Sequence, residues 1–272
     1  MPHGERLAGQ VAVVFGGGGG EYDGGHGGVT NGQAAALTYA REGAAVAVID
    51  LDLAAARRTV SAIESEGGTG VALPADVTDG EQVAEAVRAA TDALGPVDVL
   101  HNNVGVTVLG GPMELSYEQW RRAFALNVDG VFLACRHVLP AMLDRGRGAI
   151  VNVSSLAGLR HVGYPYPAYM AAKAAVNQLT VSLALTHAAD GVRVNAVAPG
   201  FIDTPLVRQQ LASQADSVDT LLAARHALSP TGRMGTPWDV ANASLFLASA
   251  EAAYVNAVCL PVDGGLSMSC AG

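Results

Sequence analysis

The chain has 272 residues, half of them hydrophobic and 15% charged, with a formal net charge of -9. A chain of this size can bury a large core as one domain, so a single domain over residues 1–272 is predicted. The acidic balance argues against nucleic acid or a membrane as partner, and no apolar run reaches the roughly 18 residues of a membrane span, so a small-molecule ligand is expected.

From the start, "MPHGERLAGQ" has no apolar core that could act as a secretory signal. Cys135, Cys259 and Cys270 are scattered without metal or redox spacing, which together predicts a reducing, cytoplasmic setting. Apolar runs then recur in order: "VAVVF", "AAVAVID", "GVALPAD", "VDVLHNN", "GAIVNVSS", "VRVNAVAPG" and "NAVCLPVDGG". They read as strands. Between them lie helical stretches such as "LAAARRTVSAIESEG", "DGEQVAEAVRAATDALG", "SYEQWRRAFALNVDGVFLACRHVLPAMLDRG" and "AYMAAKAAVNQLTVSLALTHAADG". Several close in Gly, as helix ends do. Near-continuous Val/Ile/Ala runs alternating with helices predict a doubly wound α/β fold of Rossmann type, with a parallel sheet of about seven strands.

Such sheets bind ligands at the carboxyl ends of their strands, near the point where strand order reverses. The residues that close the apolar runs fit this rule: Gly16 and its neighbours, Asp50, Asp76, Asn103, Ser155, then Pro199 and Gly200. Ten glycines fall between positions 16 and 32, between the first strand and a helix entered at "TNGQAAA". Glycine there lets backbone N–H groups approach a pyrophosphate at the positive end of a helix. A literal G-x-G-x-x-G is absent, so the reading rests on context, including an acidic residue ending the second strand. That residue is Asp50, with Leu51 beside it. Its carboxylate can accept from ribose hydroxyls and would repel a 2'-phosphate, which predicts NAD over NADP. The competing reading is a flexible low-complexity loop without a ligand. Tyr22, Asp23 and His26, inside the loop, are candidates for touching cofactor or substrate. No metal is expected, because one Asp and one His do not complete a coordination shell.

In "PAYMAAKAAV", Tyr169 and Lys173 stand four apart and share a helix face. Bringing a phenol down by about 3 units, toward neutral pH, needs about 4 kcal/mol, part of which a nearby ammonium supplies. Tyr169 is therefore a candidate general acid or base. Lys173 is the only lysine among 16 basic residues, and a compact ammonium is not interchangeable with a guanidinium. Tyr164 and Tyr166 have no such partner and are expected to be pocket walls, with Leu159 and His161 as further candidates.

With these residues, "VNVSSLAG", "HNNVG", "VNAVAPGFIDTP" and "PVDGG", the chain resembles the short-chain dehydrogenase/reductase family over essentially its whole length. The resemblance implies that Ser155 holds the substrate oxygen while Tyr169 exchanges a proton with it. Lys173 would bind the nicotinamide ribose and lower the phenol pKa, and Asn127 would anchor a water behind the lysine. Asp76 and Val77 would contact adenine, and Asn103 and Gly105 would line the ribose and cleft floor. Pro199, Gly200, Ile202 and Thr204 would hold the carboxamide, with residues 205–230 as a lid over substrate.

Against the family pattern, the glycine turn is longer, and Asn31 and Gly32 are expected to fill its last two positions. Val104 stands where alanine is common. Trp238 stands where an acidic residue is common, which reads as surface variation. A homotetramer is implied through helices at 117–144 and 168–189 and the last strand, with Cys135 near an interface. The expected activity is NAD-dependent oxidoreduction of a small or medium, largely apolar secondary alcohol or its ketone. The alternatives are an idle NAD-binding regulator and an NAD-retaining epimerase or dehydratase.

Overall fold

The computed structural model describes residues 4–20, 28–212 and 218–269. Tyr22, Asp23, His26 and Cys270 lie outside the described residues. The seven predicted apolar runs form the strands β1 (Val11–Phe15), β2 (Ala45–Asp50), β3 (Thr69–Pro74), β4 (Val99–Asn102), β5 (Gly148–Val153), β6 (Val192–Pro199) and β7 (Cys259–Val262). They join in one sheet, paired in parallel in the order β3-β2-β1-β4-β5-β6-β7. Strand order therefore reverses between β1 and β4, the place where a doubly wound sheet opens a crevice.

Helices α1 (Asn31–Arg41), α2 (Leu53–Ser65) and α3 (Gly80–Leu94) alternate with the early strands. Asp52 and Asp79 cap α2 and α3 by accepting backbone N–H groups of the first turn. The next helix runs as α4 (Tyr117–Phe124), a π-helical turn (Ala125–Asp129) and α5 (Gly130–Asp144). By length and composition it could cross a membrane. Its inward residues Val131, Ala134, Val138 and Met142 instead pack in the core beside the sheet. Beyond β5 come α6 (Pro167–His187), α7 (Pro205–Ala212), α8 (Val218–Leu228) and α9 (Pro237–Ala248).

Alternation along each central strand splits the core into two layers. Ala12, Val14, Val46 and Val48 face a cluster with Leu37, Ile63, Val240 and Leu245 from α1, α2 and α9. Val13, Phe15, Ala47 and Ile49 face Val83, Val87, Val138 and Val176 from α3, α5 and α6. Burial on both faces is why the strand sequences read as continuous apolar runs. The edge strands β3 and β7 are only partly buried, since each has a neighbour on one side alone.

Candidate active site

At the carboxyl ends of the strands a cleft of about 430 Å³ opens over the switch point. Its wall on the β1–β3 side includes Gly16, Asn31, Asp50, Leu51, Asp76 and Val77. Gly16 takes φ +73, a left-handed conformation that favours glycine, and its carbonyl accepts from Asn103 Nδ2 at 2.9 Å. From there the chain does not turn at once into α1. Gly17 and Gly19 are held against α2 through their carbonyls, by Thr59 Oγ1 and Arg58 Nε, each at 2.9 Å. The chain returns at Thr30, whose hydroxyl caps α1 by accepting from Gln33 N–H at 3.1 Å and donates to Gly18 O at 2.9 Å. Gly32 is buried and does not line the cleft. A Cβ there would stand 1.9 Å from Gly16 O, so this glycine lets the helix start press against the turn. Asn31 does line the cleft, and its buried Oδ1 has no hydrogen-bond partner.

Asp50 ends β2 with its carboxylate at the cleft. Oδ2 accepts from Gly18 N–H at 2.9 Å and Oδ1 from Asp52 N–H at 3.1 Å, which fixes its rotamer and leaves lone pairs for further donors. Asp76 Oδ1 accepts from both the N–H and the hydroxyl of Thr78, at 2.9 and 2.7 Å. A turn of this shape, with first-turn N–H groups of α1 and an acidic residue ending β2, fits a dinucleotide.

The opposite wall includes Ser155, Tyr169, Lys173, Pro199, Gly200, Ile202 and Thr204, with Asn103 and Gly105 between. Ser155 comes just after β5, while Tyr169 and Lys173 lie one turn apart in α6, which begins with Pro167 at its first position. Lys173 is only 2% exposed, and its Nζ donates to Val153 O at 2.9 Å and lies 5.7 Å from the Tyr169 ring centre. Burial lowers the lysine pKa to about 8. Burial also raises the Tyr169 pKa above its ordinary value, and a hydrogen bond with Ser155 pulls it back in part. The expectation that the ammonium leaves this phenol acidic is thus corrected for the protein alone. Desolvation penalises both charged forms and outweighs their proximity.

Asn127 does not line the cleft but sits fully buried in the π-helical turn. Its Nδ2 donates to Val106 O at 3.0 Å and to Ala123 O at 2.9 Å, while its buried Oδ1 has no partner. A Cβ on Gly105 would meet Lys173 Nζ at 2.8 Å and Asn127 Oδ1 at 2.9 Å. The amide oxygen and the ammonium therefore border one small space, and helix turns of this kind recur at functional sites.

A side pocket of about 110 Å³ adjoins the cleft at Ser155 and Tyr169. Tyr164 and Tyr166 line it as expected, stacked with ring centres 5.7 Å apart, and Tyr166 meets Tyr169 edge-on at 5.6 Å. Leu159 and His161 do not line it and are exposed. Leu109, Val162, Phe201, Val207 and Arg225 also line it; Val207 and Arg225 fall within the lid expected at 205–230, but sequence reasoning names none of the five singly. No motif marks them, because they arrive from separate loops and α7 and α8. Thr30 is likewise missed as a cleft residue, although a Thr before a helix is a readable cap signal. One further expectation is corrected. Trp238 is not surface variation: its ring lies under Arg41 at 4.8 Å and packs against the core cluster of Val29, Ala34, Ala35 and Ala241. Cys135 is 2% exposed and faces Asn102 inside the core.

This arrangement defines a nucleotide-binding oxidoreductase fold. A family model described as enoyl-(acyl carrier protein) reductase matches residues 29–267. The chain is similar to a crystal structure assigned to the short-chain dehydrogenases/reductases, from Burkholderia xenovorans: 42% identity, TM-score 0.92, covering 98% of this chain and 100% of that one. It is 39% identical to 2-(S)-hydroxypropyl-CoM dehydrogenase 3 of Xanthobacter autotrophicus, over 96% of this chain and 98% of the relative. It is also 44% identical to an inactive 2-(S)-hydroxypropyl-CoM dehydrogenase 2 of that organism, over 84% and 96%. The chain belongs to the short-chain dehydrogenase/reductase family, oxidoreductases that work with a nicotinamide cofactor.

Proposed function

We propose that the protein is an NAD-dependent dehydrogenase of a secondary alcohol, or reductase of its ketone, acting through Ser155, Tyr169, Lys173 and Asn127. The observation that carries this is the opening of Ser155, Tyr169 and Lys173 onto the same cleft as Gly16, Asn31, Asp50 and Asn103. When bound, the nicotinamide accepts or donates the hydride and, oxidised, adds a positive charge. Ser155 holds the substrate oxygen against the Tyr169 hydroxyl. Tyr169 takes the carbinol proton as the carbon loses hydride, or returns it in the reverse direction, so the ketone and alcohol differ by one hydride and one proton. Lys173, tied to Val153 O, keeps its charge beside the ribose and the phenol. Asn127 Oδ1 holds a water that lets the buried ammonium pass a proton outward. Asp76 and Val77, on one cleft wall, would flank the adenine, and Pro199, Gly200, Ile202 and Thr204, on the other, would flank the carboxamide.

Asp50 supports NAD over NADP, because a 2'-phosphate would stand against a carboxylate. Residues 205–230, which include α7 and α8, act as the lid over the side pocket. The helices at 117–144 and 168–189 are the proposed faces of a homotetramer, supported by exposed Tyr117, Phe132 and Leu185. The free thiols Cys135 and Cys259 accord with a cytoplasmic setting.

The 44% identity to a relative named inactive favours a second reading, an idle NAD-binding protein. A panel of secondary alcohols, assayed by absorbance of the reduced cofactor with NAD and with NADP, separates the readings. NADH formation with at least one alcohol, and little with NADP, is expected. Tight NADH binding without turnover of any alcohol or ketone would leave the idle reading. Tightly retained NAD with no net redox change would point to the epimerase or dehydratase reading.

A further inference from the structure

The side pocket holds a cation that the oxygen chemistry does not use. Arg225, on α8, is half-buried in its wall. Its Nε and Nη2 both donate to the Tyr164 hydroxyl, at 3.2 and 3.1 Å. The guanidinium lies 5.3 Å from the Tyr164 ring and 5.1 Å from the Phe201 ring, so two aromatic faces fix its plane. Among the described residues no carboxylate stands within ion-pair distance of it. Neighbouring arginines differ: Arg208 pairs with Asp203 at 2.6 Å and Arg233 with Asp239 at 3.4 Å.

A guanidinium presents five donors, and among the described residues one neutral oxygen receives the hydrogen bonds this one makes. A cation drawn partly out of water without a counter-charge costs free energy that a ligand anion recovers. The position matters as much as the charge. Tyr169, Tyr166 and Tyr164 form a ladder with successive ring spacings of 5.6 and 5.7 Å, and Arg225 sits on its far rung. The wall between is apolar, with Leu109 and Val162.

We propose that Arg225 is the anion-recognising residue of the substrate pocket. The substrate is then a hydroxy acid or its keto form: a secondary carbinol at Ser155 and Tyr169, a few apolar carbons, and a carboxylate or sulfonate on the guanidinium. This rests on the dehydrogenase reading above and replaces the expected largely apolar alcohol with an anionic one.

The test compares β-hydroxybutyrate, γ-hydroxyvalerate, δ-hydroxycaproate and a hydroxyalkanesulfonate with the corresponding methyl esters, using NAD and the full chain. For at least one spacing, kcat/KM for the anion should exceed that for its ester by about tenfold or more. In Arg225→Gln that ratio should collapse, and in Tyr164→Phe, which removes only the latch to the arginine, it should persist. Equal use of acids and esters by the unaltered enzyme overturns the proposal while leaving the dehydrogenase reading intact. So does an equal loss on acid and ester in both variants, which would make Arg225 a lid latch only. Should no alcohol of either charge be oxidised, the dehydrogenase reading fails by itself. Quenching of bound NADH fluorescence by the acids but not the esters then still supports the anion subsite, and equal or absent quenching overturns it.

Discussion

The ammonium of Lys173 stands 5.7 Å from the centre of the Tyr169 ring and is anchored to the sheet through Val153 O at 2.9 Å. The anchor holds the charge beside the phenol, yet burial keeps the phenol above its ordinary value of 10.0. The resting form of Tyr169 is therefore the protonated one. Ketone reduction, which consumes that proton, should stay level from neutral pH until the Lys173 ammonium is lost near pH 8, and fall above it. Alcohol oxidation needs the phenolate and should climb by up to about tenfold per pH unit. Initial rates in both directions between about pH 6 and about pH 10 check this, and oxidation rates flat across that range would contradict it.

Gly32 tests the route of the glycine-rich segment. Its missing Cβ would lie 1.9 Å from Gly16 O, a backbone atom that cannot swing aside. Gly32→Ala should force α1 away from the turn, costing about 1–3 kcal/mol of stability and about tenfold or more in NADH affinity. Thermal unfolding and a fluorescence titration with NADH measure the two effects. An unchanged affinity would place the phosphates elsewhere.

At Asp50 the charge can be removed while an acceptor stays. Asp50→Asn keeps an oxygen for the Gly18 N–H that now donates at 2.9 Å. The ratio of kcat/KM for NADP to that for NAD should rise about tenfold, because the 2'-phosphate no longer meets a carboxylate. A ratio that stays put would mean that Asp50 does not face the ribose.

Much of the fold and site is legible in the sequence, for physical reasons that differ by element. Strands β1, β4, β5 and β6 bury both faces, so their residues are mostly apolar, without a break in β1 and interrupted only by His101 and Asn102, Asn152, and Arg193 and Asn195 in the others, and parallel pairing is the expected outcome. Ser155, Tyr169, Lys173 and Asp50 fall at strand ends or on one helix face, where spacing fixes direction. Resemblance finds Asn127 but not its seat in a π-helical turn, since helical periodicity does not announce one extra residue. Helix α9 is easily overlooked, although Thr236, Pro237 and Asp239 form its capping box and first turn. The side pocket is the least legible part. Leu109, Phe201 and Arg225 meet there only because two distant loops and α8 converge, and no sequence period links them.

The core carries an acid-sensitive element away from the cleft. His101 is buried with Nδ1 at 2.9 Å from the Tyr39 hydroxyl, and burial lowers its pKa from 6.5 to about 3. Below pH 6.5 the unfolded chain takes up a proton that the folded protein refuses until about pH 3. Stability from this group is present above that window and is lost as pH falls through it. Between pH 7 and pH 5 the loss should be about 2 kcal/mol. Urea unfolding at both pH values should show it, and His101→Asn should remove most of the difference. An equally steep drop in the variant would assign the acid sensitivity to other groups.

The role of Tyr169 is tested most directly by Tyr169→Phe, read by two assays on one preparation. Turnover should fall by about a hundredfold or more, the share general acid–base catalysis commonly contributes, while NADH binds within about twofold of the unaltered protein. Retention of most of the activity by the phenylalanine variant would contradict the account, because no proton could then be passing through that hydroxyl.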